Sequence, residues 1–269
     1  MSKVFCVDVA KWNGCYNCQI ACKDEHAGND WTPYAKPQPD IGQFWCRLTE
    51  HVGGTIPKVK IHYIAHLCNH CEKAPCIEAS NGAVYKRDDG LIIIDPEKAK
   101  GAKALVDSCP YGAIFWNEEL NIPQKCTGCT HLLDNGYKLP RCVESCPTDA
   151  MLFGEEAELQ DFIIGATVRM PETGAGPKVY YRNIPGKFIA GTVYDPVDKE
   201  VIIGARCRAT NGGKTVEVLS DEYGDFWFKD LAMGKYDVVI EVKGYEFKTF
   251  DAVDATKDVN LGDIPLTKK

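Results

Sequence analysis

Two regimes of hydrophobic patterning divide the chain. From residue 185 onward apolar and polar positions alternate in short runs: FIAGTVY, EVIIGARCRA, KTVEVLS, DFWFK, YDVVIEV, YEFKTFDA and KDVNLGDIPL. Turn signals separate them at Asp195-Pro196, Asn211-Gly212-Gly213, Tyr223-Gly224, Met233-Gly234 and Lys243-Gly244. In YDVVIEVK, Tyr236, Val238, Ile240 and Val242 share one face while Asp237, Glu241 and Lys243 share the other. A period of two is that of a half-buried strand, and it turns Phe226 and Phe228 inward. Residues 185–269 therefore predict an all-β sandwich.

Residues 1–184 show no such regularity. KVFCVDVA, rich in Val and Phe, predicts a first strand, and WNGCYNCQIACKDEH a turn into a short helix. Residues 29–60, with several prolines and Gly53-Gly54, predict an insertion carrying a hairpin. AVYKR and LIIID flank an Asp-Asp-Gly turn and predict a β-hairpin; YGAIFWN predicts a further strand. The whole is an α+β module of short pieces, joined through the Pro/Gly-rich MPETGAGPK to the sandwich.

Cysteine changes this picture most. The 269 residues contain fourteen, and ten fall in three groups, residues 15–22, 68–76 and 126–146, each with Cys-x2-Cys pairs. The chain starts MSKVFCVDVAKW, with no basic-then-apolar export signal, so metal-bound thiolates in a reducing, cytoplasmic compartment are expected rather than disulfides. A net charge of -7 with both signs interleaved argues against a nucleic-acid partner. No apolar run approaches the roughly 20 residues of a membrane span.

Residues 98–110, KAKGAKALVDSCP, have the spacing of a bacterial ferredoxin motif, but Ala99, Ala102 and Leu105 stand at the first three ligand positions and only Cys109 and Pro110 remain. Upstream, Cys68, Cys71 and Cys76 are followed by Ser80 where a fourth cysteine is due. In two-cluster ferredoxins the fourth cysteine of each motif serves the other motif's cluster. One site then takes Cys68, Cys71, Cys76 and Cys109, and the other would need Ala99, Ala102, Leu105 and Ser80. The missing thiols are one whole site.

The same crossover pairs the outer segments, 1–30 with 115–155, around the inserted pair 60–114. Cys126, Cys129, Cys142 and Cys22 form a full set. Cys15, Cys18 and Cys146 remain, with Trp12 in the fourth place. An indole does not ligate iron, so this set holds a three-iron centre or takes another ligand: Asp24, another nearby oxygen or nitrogen, or the spare Cys6 or Cys46. A four-iron cluster with a non-standard ligand is expected. The eleven thiols assigned leave Cys6, Cys46 and Cys207 over, each in a strand-like run that favours plain burial. A zinc site using His66, His70 or His131 is the main rival, and it gives no reason for the deletion of one complete set. Clusters acting only as structural staples are a second rival.

CNHCEKAPC, IDPEKAKGAKALVDSCPYGA, and KCTGC followed by CVESCPTDA resemble the iron-sulfur subunits of the dimethyl-sulfoxide-reductase family of molybdenum and tungsten enzymes. The resemblance covers residues 1–184. It implies an electron-transfer subunit with three [4Fe-4S] clusters where most relatives carry four, and no catalytic residues of its own. It also implies a heterodimer with a large catalytic subunit holding molybdopterin guanine dinucleotide. GTVYDPVDKEVIIGARCRA and SDEYGDFWFKDLAMGKYDVVIEVKGYE resemble transthyretin-like, or carboxypeptidase-regulatory-like, β-domains. Three clusters with such a domain resemble the members that serve hydroxyl transfer from pyrogallol to phloroglucinol in anaerobic metabolism. Formate, polysulfide or nitrate type reductases are the alternative.

Overall fold

A computed structural model of the chain describes residues 2–269. It resolves into two units: residues 1–50 with 62–184, and residues 51–61 with 185–269.

The first unit is built from short elements. Strand β1 (Lys3–Asp8) leads to helix α1 (Asn17–His26). Next come the long hairpin strands β2 (Arg47–Thr55) and β3 (Lys58–His66), whose tip belongs to the second unit. Helix α2 (Pro75–Glu78) precedes the hairpin β4 (Val84–Lys86) and β5 (Ile92–Ile94). A second small hairpin joins β6 (Phe115–Asn117) to β7 (Ile122–Gln124); the sequence pattern anticipates its first strand but not its partner. Helices α3 (Thr130–Asp134) and α4 (Arg141–Glu144) lead to β8 (Met151–Glu155) and β9 (Val179–Arg182). Strand β1 pairs antiparallel with β8 and parallel with β9, so one small sheet ties the start of this unit to its end.

Cysteine spacing sets the local geometry. In α1 the buried residues are Cys18, Cys22 and His26, spaced at i, i+4 and i+8, which places all three on one helical face. Pro140 precedes α4 and Pro75 opens α2, where a missing N–H costs nothing. Cys129 caps α3 in the left-handed region, φ 52°, directly after Gly128 at φ 68°. A Cβ on Gly128 would meet Leu91 at 3.0 Å, so the close turn between the two thiols of KCTGC requires glycine there.

The second unit stacks two four-stranded sheets. One contains β10 (Lys187–Asp195), β11 (Glu200–Val201), β14 (Asp225–Leu231) and β17 (Val259–Pro265); the other contains β12 (Arg206–Asn211), β13 (Lys214–Leu219), β15 (Lys235–Glu241) and β16 (Lys248–Asp254). Phe226 and Phe228 are buried between them with Ile189, Val238, Ile240 and Cys207. The run EVIIGARCRA is not one strand: it breaks after Val201 and resumes at Arg206, because its halves pair in different sheets. Residues 51–61, which the sequence pattern leaves in the first module, group here with the sandwich. Lys58, 5% exposed, ion-pairs with Asp225, and Asn260 donates to the carbonyl of Thr55.

Candidate metal centres

Cys68, Cys71, Cys76 and Cys109 line one pocket, together with Asn69, Ile92, Pro110 and Lys125. Loop, α2 and the turn after residue 105 supply the four thiols, so residues 41 apart in sequence (68 to 109) share one space. Burial pushes the Cys71 thiol up to about 12, with the charges of Cys68, Cys109 and Cys76 adding to it, and burial pushes Cys76 up to about 11. Such thiols become thiolates together only around a cation, which is the condition an iron-sulfur cluster meets. Both polar side-chain atoms of Asn69 and Nε2 of His70 are buried and unpartnered, as donors and acceptors turned toward a bound group would be. These residues fit a cluster.

Cys22, Cys126, Cys129 and Cys142 form a second assembly. Burial, followed by the charges of Cys142, Cys126 and Cys129, raises the Cys22 thiol well above its usual range; burial takes Cys126 to about 12. Glu25 holds the ligand-bearing helices together. From α1 its two oxygens reach His131 Nε2 of α3 and Arg141 Nε of α4, both at 3.0 Å. His26 Nε2 lies 3.9 Å from Cys129 Sγ, and burial, then the neighbouring His131, lowers the His26 pKa to about 3, so its ring is neutral.

Backbone donors repeat across the two halves. The N–H two residues on donates to sulfur at Cys68 (from His70, 3.5 Å) and at Cys126 (from Gly128, 3.4 Å). The N–H four residues on donates at Cys109 (from Ala113, 3.5 Å) and at Cys146 (from Ala150, 3.3 Å). Cys68 and Cys126 thus occupy equivalent places, as do the two Cys-Pro cysteines, and all four sulfurs accept hydrogen bonds suited to thiolate.

Among the remaining set, Cys18 is buried in the same core as Trp12, and Cys146 packs against that core, while Cys15 is exposed at the entry to α1. The positions without thiols are filled by other side chains. Ala99 and Leu105 are 0% and 1% exposed and pack with Cys71 and Cys76. Ser80 Oγ donates to the carbonyl of Ile77 at 2.7 Å and accepts from the N–H of Val84 at 3.1 Å, which uses its hydrogen-bonding capacity locally. No three His, Cys, Asp or Glu side chains among the described residues converge tightly enough for a single metal ion. The zinc candidates His131 and His70 are instead engaged with Glu25 and, through Nδ1, with the N–H of Ile92.

Comparison with known proteins identifies both domains. A 4Fe-4S dicluster domain profile matches residues 59–156, and a carboxypeptidase regulatory-like domain profile matches residues 189–267. The pyrogallol hydroxytransferase small subunit of Pelobacter acidigallici is 39% identical over 279 aligned positions, covering 97% of each chain. The chain belongs to the iron-sulfur subunits of the dimethyl-sulfoxide-reductase family. A subunit of the anaerobic dimethyl sulfoxide reductase of Escherichia coli is 34% identical over 58% of this chain and 75% of its own. The arsenate respiratory reductase iron-sulfur subunit of a Shewanella species is 28% identical over 65% and 93%. As an iron-sulfur subunit the chain has an electron-carrying role rather than an active site of its own. No described helix is long and apolar enough to cross a membrane.

Sequence reasoning missed Glu25, His26 and Lys125 as parts of the iron-sulfur subunit's sites. Each lies within four residues of a cysteine, as in ACKDEH and KCTGC, yet closeness in sequence does not say that a side chain turns toward the site. Lys125 is 3% exposed and donates to the carbonyls of Ile92 and, at 3.0 Å, Cys126.

Proposed function

We propose that this subunit carries three [4Fe-4S] clusters. Cys68, Cys71, Cys76 and Cys109 hold one, and Cys126, Cys129, Cys142 and Cys22 another. Cys15, Cys18 and Cys146, with one further ligand, hold the third. A bound cluster supplies reversible one-electron exchange with little nuclear rearrangement. The protein's own part is to bury the thiolates, donate N–H groups to their sulfurs and exclude water, which together set the potential. The partner we propose is a molybdopterin guanine dinucleotide subunit in a cytoplasmic heterodimer, transferring a hydroxyl from pyrogallol to phloroglucinol in anaerobic metabolism. The relative from Pelobacter, aligned over both domains, carries that reading.

A net redox-neutral hydroxyl transfer needs no continuous electron supply, and this suits a subunit with one site of a four-site file filled by side chains. The clusters then set or restore the oxidation state of the partner's metal. Purification of the native complex under anaerobic conditions tests the proposal. About twelve iron atoms per small chain are expected for three four-iron clusters, with pterin in the large subunit and phloroglucinol-dependent conversion of pyrogallol. A complex with about eight iron removes the third cluster, and one that is inactive on polyhydroxybenzenes but reduces an external oxyanion or sulfur compound overturns the substrate.

A further inference from the structure

The set Cys15, Cys18 and Cys146 lacks one ligand, and three named side chains are candidates to complete it. Asp24 is exposed. Cys6 lies within β1, paired through its backbone with Leu152 and Tyr180, and its charged neighbour is Arg182 rather than a thiol. Cys46 is different. It is 1% exposed, it lies just before β2 in the same buried core as Cys18 and Cys142, and its thiol neighbours theirs. Trp12, Cys18, Cys22, Cys46 and Cys142 share one core, with Cys146 packed against it, so the position left by the indole and the spare thiol are in the same neighbourhood.

Ligand count decides which set Cys46 joins. Its neighbour Cys142 belongs to a set that already has four thiols with Cys22, Cys126 and Cys129. Its neighbour Cys18 belongs to the set that has three. The main chain at Cys46 lies on the side of Cys22, in the completed set, and the side chain is left to serve the other.

We propose that Cys46 is the fourth thiolate of the cluster held by Cys15, Cys18 and Cys146, in place of the cysteine that Trp12 replaces. The inference rests on the reading that those three residues hold a cluster. Binding would be a ligand exchange without change of oxidation state: the Sγ–H bond breaks, the proton passes to water, and an Sγ–Fe bond forms at the iron the other three leave open, releasing the water held there. The chain has moved one ligand from the turn before α1 to the segment before β2.

The test uses the full complex, prepared anaerobically, with iron and acid-labile sulfide per chain and low-temperature EPR of the oxidised protein as readouts. Cys46→Ala is expected to produce the oxidised signal of a three-iron centre, or to lose that cluster, so that iron falls by about one to four of about twelve atoms. Trp12→Cys in the Cys46→Ala background is expected to restore the iron and abolish the signal. Full iron and no three-iron signal in Cys46→Ala overturn the proposal, whatever happens to the potentials. If Cys46→Ala does not accumulate, the double variant decides: full iron supports the proposal, and its failure to accumulate shows Cys46 is needed for packing and overturns it. Cys15→Ala separates the two levels, because full iron in that variant removes the underlying set itself rather than the assignment of Cys46.

Discussion

The ammonium of Lys125 donates to the backbone carbonyl of Ile92 while lying beside the thiols of both complete sets. Among the described residues no carboxylate is within ion-pair distance of it. A buried cation without a carboxylate partner requires negative charge nearby, and Cys76, Cys109 and Cys126 all feel Lys125 as a charge that favours their thiolates. Added electrons on a cluster at this place gain from the same field.

Lys125→Met should therefore lower the midpoint potential of the Cys68 cluster by on the order of 60 mV, a tenfold bias in a one-electron equilibrium, with iron content kept. Lys125→Arg should retain most of the wild-type value. An EPR-monitored redox titration of the complex measures both; unchanged potentials in the methionine variant would show that the ammonium serves only the backbone.

Cys109 and Ser80 occupy corresponding fourth positions with opposite expectations. Cys109→Ala should cost the cluster of Cys68, Cys71 and Cys76, about four iron atoms. Ser80→Ala should cost no iron and about 1 kcal/mol of stability, from the lost bonds to Ile77 and Val84. Equal iron loss in both variants, by metal analysis, contradicts the crossover assignment.

Lys58 and Asp225 make a testable pair in the second unit. Asp225 also accepts from Thr192 Oγ1 at 2.7 Å, and its side chain is 24% exposed. Lys58→Met removes the cation and leaves the carboxylate half-buried. The expected loss is about 2 kcal/mol, below that of a fully buried pair because water still reaches Asp225. Urea unfolding followed by the fluorescence of Trp227, whose ring packs against Phe188 at 5.0 Å, reads it. A midpoint equal to wild type would remove the pair from the stabilising contacts.

Acid should weaken the same unit through Asp195. Burial raises its pKa, but the N–H groups of Asp198 and Val197, Lys268 and the Tyr245 hydroxyl outweigh that and leave it well below the usual carboxylate range. A depressed folded-state pKa adds stability that is fully present above the unfolded value of about 3.9 and is lost as pH falls toward the folded value. Asp195→Asn should be less stable than wild type at pH 7, and the gap should narrow below about pH 4. A gap independent of pH across that range would mean the carboxylate's charge contributes nothing.

Much of this protein is written locally. The alternation in YDVVIEVK places Tyr236, Val238 and Ile240 in the core, and all three are at most 6% exposed. The family, and its electron-carrying role, follow from cysteine spacings that need no coordinates. Spacing works this well because a helix converts i, i+4 into one face and a strand converts i, i+2 into one face, so Cys18 and Cys22 are placed together by the backbone alone.

Tertiary structure decided what spacing does not encode. The segment carrying Cys46 is separated from Cys18 by 28 positions, 46 minus 18, and only packing brings their thiols together. Lys125 and Glu25 read as ordinary surface charges in sequence, yet the first turns inward to two sets of thiols and the second joins α1 to α3 and α4. The run from Glu200 to Ala209 reads as one strand because its β-forming residues are continuous, but its halves pair in different sheets. Residues 51–61 read as part of an insertion in the first module, and Lys58 with Asp225 assigns them to the second unit. Each of these depends on contacts between residues distant in the chain, whose cost in ordering is met only when the whole core forms.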